Sequence, residues 1–353
     1  MRRFLSSVLA VIVAVAAAEI VLRLSVPKQL FFRCDFTNGV HMPDPAYGFR
    51  WRPNYEGIMR HPDGFYAPVP LRLNEFGFRL PVASSNAGPD ALRVLLLGGG
   101  SMVFCFGFPD RETIAGRMAD LSPRPFVVQN VAVGGFDLYR NWHLAREQIE
   151  AFRPDVILVN IYKEDPYHLG TFAPDFTRLP PPPGTQEQLF VLWDGMVSGR
   201  SPLVHRLGRR HDTSYLLYGL CNLDTRYIDA RTKVVRWVRR RSASAPAAGP
   251  PQGLTAFLRH IAASPVTGGA AVGVVLLPQM NKPPDLYRNL APFLPDEMPV
   301  LNLHADLIHE LSRYPWVADG HYGREANERI ARALLDQALR LDAARKGRGP
   351  PGP

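Results

Sequence analysis

RVLLLGGGSMVFCFGFPD, residues Arg93 to Asp110, runs strand, turn and helix together without a spacer. Val94-Leu-Leu-Leu-Gly98 is apolar at successive positions, the pattern of a strand buried on both faces of a parallel sheet. Three glycines follow, Gly98 to Gly100, and then Ser101. Beyond Pro109-Asp110, the spacing of Ile114, Met118 and Leu121 predicts a helix with one inward face. Open α/β sheets gather their chemistry just outside the carboxyl ends of the strands, where Ser101 falls. Glycines there allow a sharp turn that leaves the hydroxyl exposed. A phosphate loop is a competing reading, but no lysine follows the glycines and the GxGxxG spacing is absent. An ordinary turn serine is the other alternative.

The neighbouring segments repeat the rhythm. FVVQNVAV, Phe126 to Val133, is a second strand that ends in Gly134-Gly135. Leu138, Trp142, Ala145, Ile149 and Phe152 then mark one face of a helix. A third strand spans Pro154 to Tyr162 and ends in Lys163-Glu164-Asp165-Pro166. Three such units in succession predict an α/β, doubly wound parallel sheet of about five strands. Residues 167–250 interrupt it with a polyproline run (Pro180 to Pro183), a hairpin-like segment around Asp194-Gly195 and a basic helical stretch ending at Arg241. They are expected to form an insertion beside the site. Helix and strand patterns resume from Leu254, with strands at Ala271 to Leu277 and Pro299 to Leu303. The last helix is expected from about Arg324 to Arg340. Residues 343–353, rich in Gly, Pro and Arg, form a tail without core-forming residues.

The N-terminus carries a different signal. MRRFLSSVLAVIVAVAAAEIVLRL places Arg2 and Arg3 before a run uncharged from Phe4 to Ala18. A cleavable signal peptide fits Ala16-Ala17-Ala18. With Ile20 to Leu22 the run is about 20 residues, which favours an uncleaved signal anchor or transmembrane helix within residues 1–25. The arginines would stay cytoplasmic and the rest be exported. Residues 26–90, rich in Pro, Gly and aromatics, read as a small β-rich pre-domain and linker ahead of the main domain at 91–342. The 353-residue chain has a net charge of +9. It carries no nucleic-acid motif, so an anionic lipid or polymer is the more suitable partner for that charge. Cys34, Cys105 and Cys221 match no metal spacing. In an exported chain Cys34 and Cys221 are able to pair, and Cys105 is expected to be a small buried residue.

Trp316-Val-Ala-Asp-Gly-His321 lies between the last strand and the last helix. A carboxylate two residues before a histidine, in a turn that opens a helix, can orient the imidazole to take a proton from a serine hydroxyl. With parallel strands, Ser101, Asp319 and His321 all fall at one edge of the sheet. Acyl transfer also requires donors for the oxyanion, and the Ser101 and Gly135 N–H groups are the candidates. Taken alone, Asp-Gly-His is also a common helix cap with a surface histidine.

In these blocks the chain resembles the SGNH/GDSL hydrolases, particularly their bacterial membrane-anchored group, in pieces over nearly its whole length. Their first block, a strand followed by Gly-Asp-Ser, aligns with Leu97 through Asp110, with Gly100 in place of the aspartate and the nucleophile on Ser101. Their second block falls on Asn130 and Gly135, and their last on Asp319 and His321. YGFRWRPN (Tyr47 to Asn54) and LNEFGFR (Leu73 to Arg79) resemble the pre-domain of that group. The resemblance implies a three-layer α/β/α sandwich with a flavodoxin-like sheet, and no metal or organic cofactor. It implies a membrane-anchored, periplasm-facing serine esterase or deacylase of the inner membrane, acting on carbohydrate or lipid O-acyl esters. An O-acyltransferase using the same residues is a close alternative. The third block, Gly-x-Asn-Asp, departs: here Tyr162-Lys163-Glu164-Asp165 puts Glu164, or Asp165 after a one-residue slip, where the family's asparagine donates to the oxyanion. An ionised carboxylate only accepts hydrogen bonds and repels a developing oxyanion. A non-catalytic glycan-binding or scaffold member that kept the fold is the second reading.

Overall fold

The structure, a computed structural model, describes residues 2–25, 40–44, 46–59, 66–162, 176, 253–280, 282–314, 317 and 320–347. Asp319, Glu164, Asp165, Cys34, Cys221, His168 and all of the 167–250 insertion except Phe176 lie outside the described residues, as does the chain after Gly347. The chain divides into two units. One comprises residues 1–50, 60–64 and 182–246, and the other 51–59, 65–181 and 247–353.

The first unit contains helix α1 (Arg2–Ser25) and strands β1 (His41–Asp44) and β2 (Gly48–Trp51, its last residue belonging to the second unit). Along α1, Val8, Leu9, Val11, Ile12, Val13, Val15, Ile20, Val21 and Leu24 are all exposed. Their spacing leaves no polar face, unlike a helix laid on a soluble core. Arg2–Ser25, within the segment expected to span a membrane, forms one helix. Its side chains are described from Ser6 onward, and among the described residues no helix is long and apolar enough to cross a membrane.

The second unit is an α/β sheet. Its strands are β5 (Val82–Ala83), β6 (Leu92–Gly98), β7 (Phe126–Asn130), β8 (Val156–Ile161), β9 (Ala271–Leu276) and β10 (Val300–Asn302), in the order β10-β9-β8-β6-β7-β5. The five strands from β6 onward are mutually parallel, with Val94 beside Val128 on one side and Val156 on the other. Counted from β6, their order is 2-1-3-4-5, which reverses direction between β6 and β8. The sixth strand differs from the expected polar linker: Val82 and Ala83 pair antiparallel with Val128 and Val127 and close the β7 edge.

Every side chain of β8 is buried, and all of β6 except Arg93. Each fully buried aliphatic contributes about 1.5–3 kcal/mol, so the two strands form the centre of the core. Helices cover both faces. Helix α3 (Ile114–Leu121) packs on β5, β7 and α7 (Arg324–Gly347), which also lies on β8 and β9. Helix α4 (Leu138–Phe152) packs on β6 and meets α5 (Leu254–Ala263) through Tyr139–Phe257 at 5.2 Å and Trp142–His260 at 6.1 Å. The predicted inward face of α4 is buried throughout. The Asp137 carboxylate starts this helix by accepting from the Arg140 N–H at 2.7 Å. Helix α6 (Leu303–Leu311) follows β10 directly.

Helix α7 runs to Gly347 rather than ending near Arg340. Leu341 is buried, and Asp342 accepts from Arg124, Arg345 and Lys346 at 3.0, 3.1 and 2.8 Å. Burial pushes the Asp342 pKa up, but the hydrogen bonds from Lys346, Arg345 and Arg124 outweigh it and hold the carboxyl below its usual range.

Strands β3 (Glu56–Met59) and β4 (Val69–Arg72) form an antiparallel pair ahead of the sheet. The turn after β4 is built by Asn74, whose Oδ1 accepts from the Phe76 and Phe78 N–H groups at 3.0 Å each. Its Nδ2 donates to Gln148 of α4, which fixes this segment to the main sheet.

Candidate functional site

The backbone after β6 turns through three consecutive left-handed residues: Gly98, Gly99 and Gly100, with φ of 78°, 72° and 52°. A Cβ on Gly98 would lie 2.6 Å from the Asn160 carbonyl, and one on Gly99 2.9 Å from Leu277 Cδ1. No side chain fits this turn at either position. Helix α2 (Gly100–Phe104) follows, with Ser101 in its first turn and half-buried.

Two buried asparagines hold the turn. Asn141 of α4 accepts from the Gly98 N–H at 2.7 Å and donates to the Val131 carbonyl at 2.5 Å, joining the ends of β6 and β7. Asn130 donates to the Val103 carbonyl in α2 at 2.7 Å and accepts from the Ala132 N–H at 2.9 Å. Asn130 therefore supplies a side chain that holds the serine's helix.

The Gly134–Gly135 turn lies against Ser101. A Cβ on Gly134 would fall 3.6 Å from Ser101 Cβ and 2.8 Å from the Phe106 ring, and a Cβ on Gly100 4.0 Å from the Gly135 nitrogen. Gly135 is exposed, with φ of 82°. Phe106 also meets the His321 ring, edge-on at 5.7 Å between centroids. Ser101 and Gly135 thus share the carboxyl edge of the sheet beside its point of reversal, and His321 is linked to them through Phe106, which packs on Gly134.

The His321 loop is closed by backbone hydrogen bonds. Val317 N–H donates to the His321 carbonyl at 2.9 Å, and Gly320 N–H to the Val317 carbonyl at 2.8 Å. The Tyr322 hydroxyl donates to the Pro278 carbonyl at 2.7 Å, just past β9. Burial keeps the Tyr322 pKa well above its usual value, so the phenol remains a donor at any physiological pH.

Cys105 is buried as expected. It ends α2 in a left-handed conformation, φ 60°. Burial pushes its thiol up to about 11, against the Ile114 N–H and the Arg79 charge, which pull the other way. It is therefore a packed thiol, not a nucleophile at neutral pH. Among the described residues no cluster of three or more His, Cys, Asp or Glu could hold a metal ion. A groove of about 660 Å³ flanks β10, and its lining includes none of the site residues.

Sequence reasoning missed Asn141, Phe106 and Tyr322 as parts of this site. Asn141 had a readable signal, a polar residue three positions after Leu138 beside the inward stripe of α4. Phe106 and Tyr322 had none, because apolar bulk near a turn does not reveal which ring it will touch. The chain matches no protein-family model and no curated protein.

Proposed function

We propose that the chain is a serine ester hydrolase of the SGNH/GDSL type, or an O-acyltransferase using the same residues, anchored in a bacterial inner membrane with its α/β unit in the periplasm. One observation carries the reading. Ser101 leaves a three-glycine turn at the carboxyl end of β6, beside the Gly134–Gly135 turn, and the Phe106 ring that packs on this turn also meets the His321 ring. In this mechanism Ser101 Oγ attacks an ester carbonyl while His321 takes the hydroxyl proton. The N–H groups of Ser101 and Gly135 hold the oxyanion, and Asp319 orients the imidazole. The alcohol departs with the proton from His321. Water, or an acceptor hydroxyl, then attacks the acyl-serine and restores the enzyme. Carbohydrate or lipid O-acyl esters are the substrate class.

The membrane reading rests on the sequence of residues 1–25, with Arg2 and Arg3 ahead of a run uncharged from Phe4 to Ala18, and on the exposed apolar side chains of α1. The test is fluorophosphonate labelling of the full chain in detergent, with Ser101→Ala and Glu164→Gln alongside. Labelling lost only in Ser101→Ala supports the hydrolase. Faster labelling of Glu164→Gln identifies that carboxylate as a brake on an intact site. A folded parent and a folded Glu164→Gln that both stay unlabelled support the non-catalytic reading.

A further inference from the structure

We infer that Arg79, which comes from the segment ahead of the sheet, is a positioning residue that fixes Ser101 relative to His321; the inference rests on the serine-hydrolase reading. Helix α2 has five residues, far fewer than a helix needs to persist by itself. Its last carbonyls must therefore be taken up by groups from elsewhere. Asn130 takes that of Val103. Arg79 takes the next two: Nε donates to the Phe104 carbonyl at 3.1 Å and Nη2 to the Cys105 carbonyl at 3.2 Å. The same guanidinium continues along the loop, with Nη2 donating to the Phe108 carbonyl at 3.1 Å and Nη1 pairing with Asp110 at 2.5 Å. It also lies over the Phe104 ring, 4.5 Å from its centroid. The side chain is 3% exposed. The Arg79 carbonyl accepts from Gln129 Nε2 at 2.9 Å, which ties the residue to β7.

One rigid planar group therefore holds two things together. The first is the end of the helix that carries Ser101. The second is the loop that carries Phe106, whose ring packs on Gly134 and meets the His321 ring. A lysine could supply the charge but not the fork of donors that reaches three carbonyls and a carboxylate. The predicted consequence of losing the fork is a serine helix that frays and a Phe106 loop that shifts, with the rest of the sheet intact.

The experiment compares the full-length parent with Arg79→Lys, and with Asp110→Asn as the milder variant should Arg79→Lys not fold. Two readouts are taken: the second-order rate of fluorophosphonate labelling at Ser101, and hydrogen–deuterium exchange in peptides covering 99–106 and 330–338. The expected result is labelling at least tenfold slower and exchange at least tenfold faster in 99–106, with 330–338 in α7 unchanged. Parental labelling in a folded variant overturns the inference, as does exchange that rises equally in both peptides. A parent that never labels, with exchange still raised in 99–106 alone, sinks the hydrolase reading and leaves the holding role of Arg79 standing; a parent that never labels and exchange that does not change overturn both.

Discussion

The two halves of the site are built to different standards. Around Ser101, the backbone is forced by three left-handed glycines, and side chains from α4, from the end of β7 and from the pre-sheet segment take up its polar groups. Around His321, among the described residues, two backbone hydrogen bonds close a short loop and one tyrosine hydroxyl donates to the Pro278 carbonyl. The placement of the serine is a property of the whole sheet, whereas that of the histidine belongs to one loop. Damage to the glycine turn or to Asn141 should therefore appear as lost stability, and damage to the second half as lost reactivity in a stable protein.

The largest effect that would break this contrast is expected at Gly98. Gly98→Ala puts a methyl against the Asn160 carbonyl of the adjacent strand at positive φ, and should destabilise the unit by about 3 kcal/mol or more in thermal or urea unfolding. A loss near zero would mean that the turn is not rigid. Asn141→Ala comes next. It strands the Gly98 N–H and the Val131 carbonyl in the interior, at about 1–3 kcal/mol for each orphaned group. Tyr322→Phe sharpens the other side. One hydrogen bond is lost at about 1 kcal/mol, yet labelling of Ser101 should slow several-fold more than the change in folded fraction allows.

The smallest effect is expected at His143 and serves as a control. His143 of α4 is held down to about 4, first by burial and then by the Arg146 and His260 charges, against a hydrogen bond to the Phe176 backbone that raises it. Its ring also meets Tyr139 at 4.7 Å, and its Nε2 has no hydrogen-bond partner among the described residues. Between pH 6.5 and 4 the unfolded chain takes up a proton that the folded chain refuses. Stability present above pH 6.5 is therefore lost as the pH falls toward 4. Urea titrations at pH 7 and pH 4.5 should show His143→Gln losing about 1 kcal/mol less than the parent, with no change in labelling at pH 7.

Much of this arrangement was legible in the residues. The apolar runs Val94 to Leu97 and Val156 to Val159 gave β6 and β8 directly, because a strand buried on both faces carries few polar residues to confuse the pattern. The inward stripe of α4 was equally plain. Val82-Ala83 was not, since two residues carry no periodicity, and they pair only because β7 leaves an edge beside them. The extension of α7 past Arg340 depended on Arg124, a cation from a distant loop that no local pattern could connect to Asp342. Ser101 and His321 could be read as ends of elements. The clamps between them could not, because Asn130, Asn141 and Arg79 act across the fold on carbonyls and N–H groups, which a sequence does not distinguish one from another.

The glycine turn also has a consequence for when the site comes into being. Gly98 to Gly100 contribute no order to the unfolded chain, and each loses more conformational freedom on folding than any other residue would. What holds them arrives later: Asn141 from α4, Asn160 from β8, and Leu277 from beyond the 167–250 insertion. Contacts of such long range form slowly. A chain emerging on the far side of a membrane would carry an unplaced serine until β9 had docked. Reactivity at Ser101 would therefore be a late event in folding, and its first appearance would time the closure of the sheet.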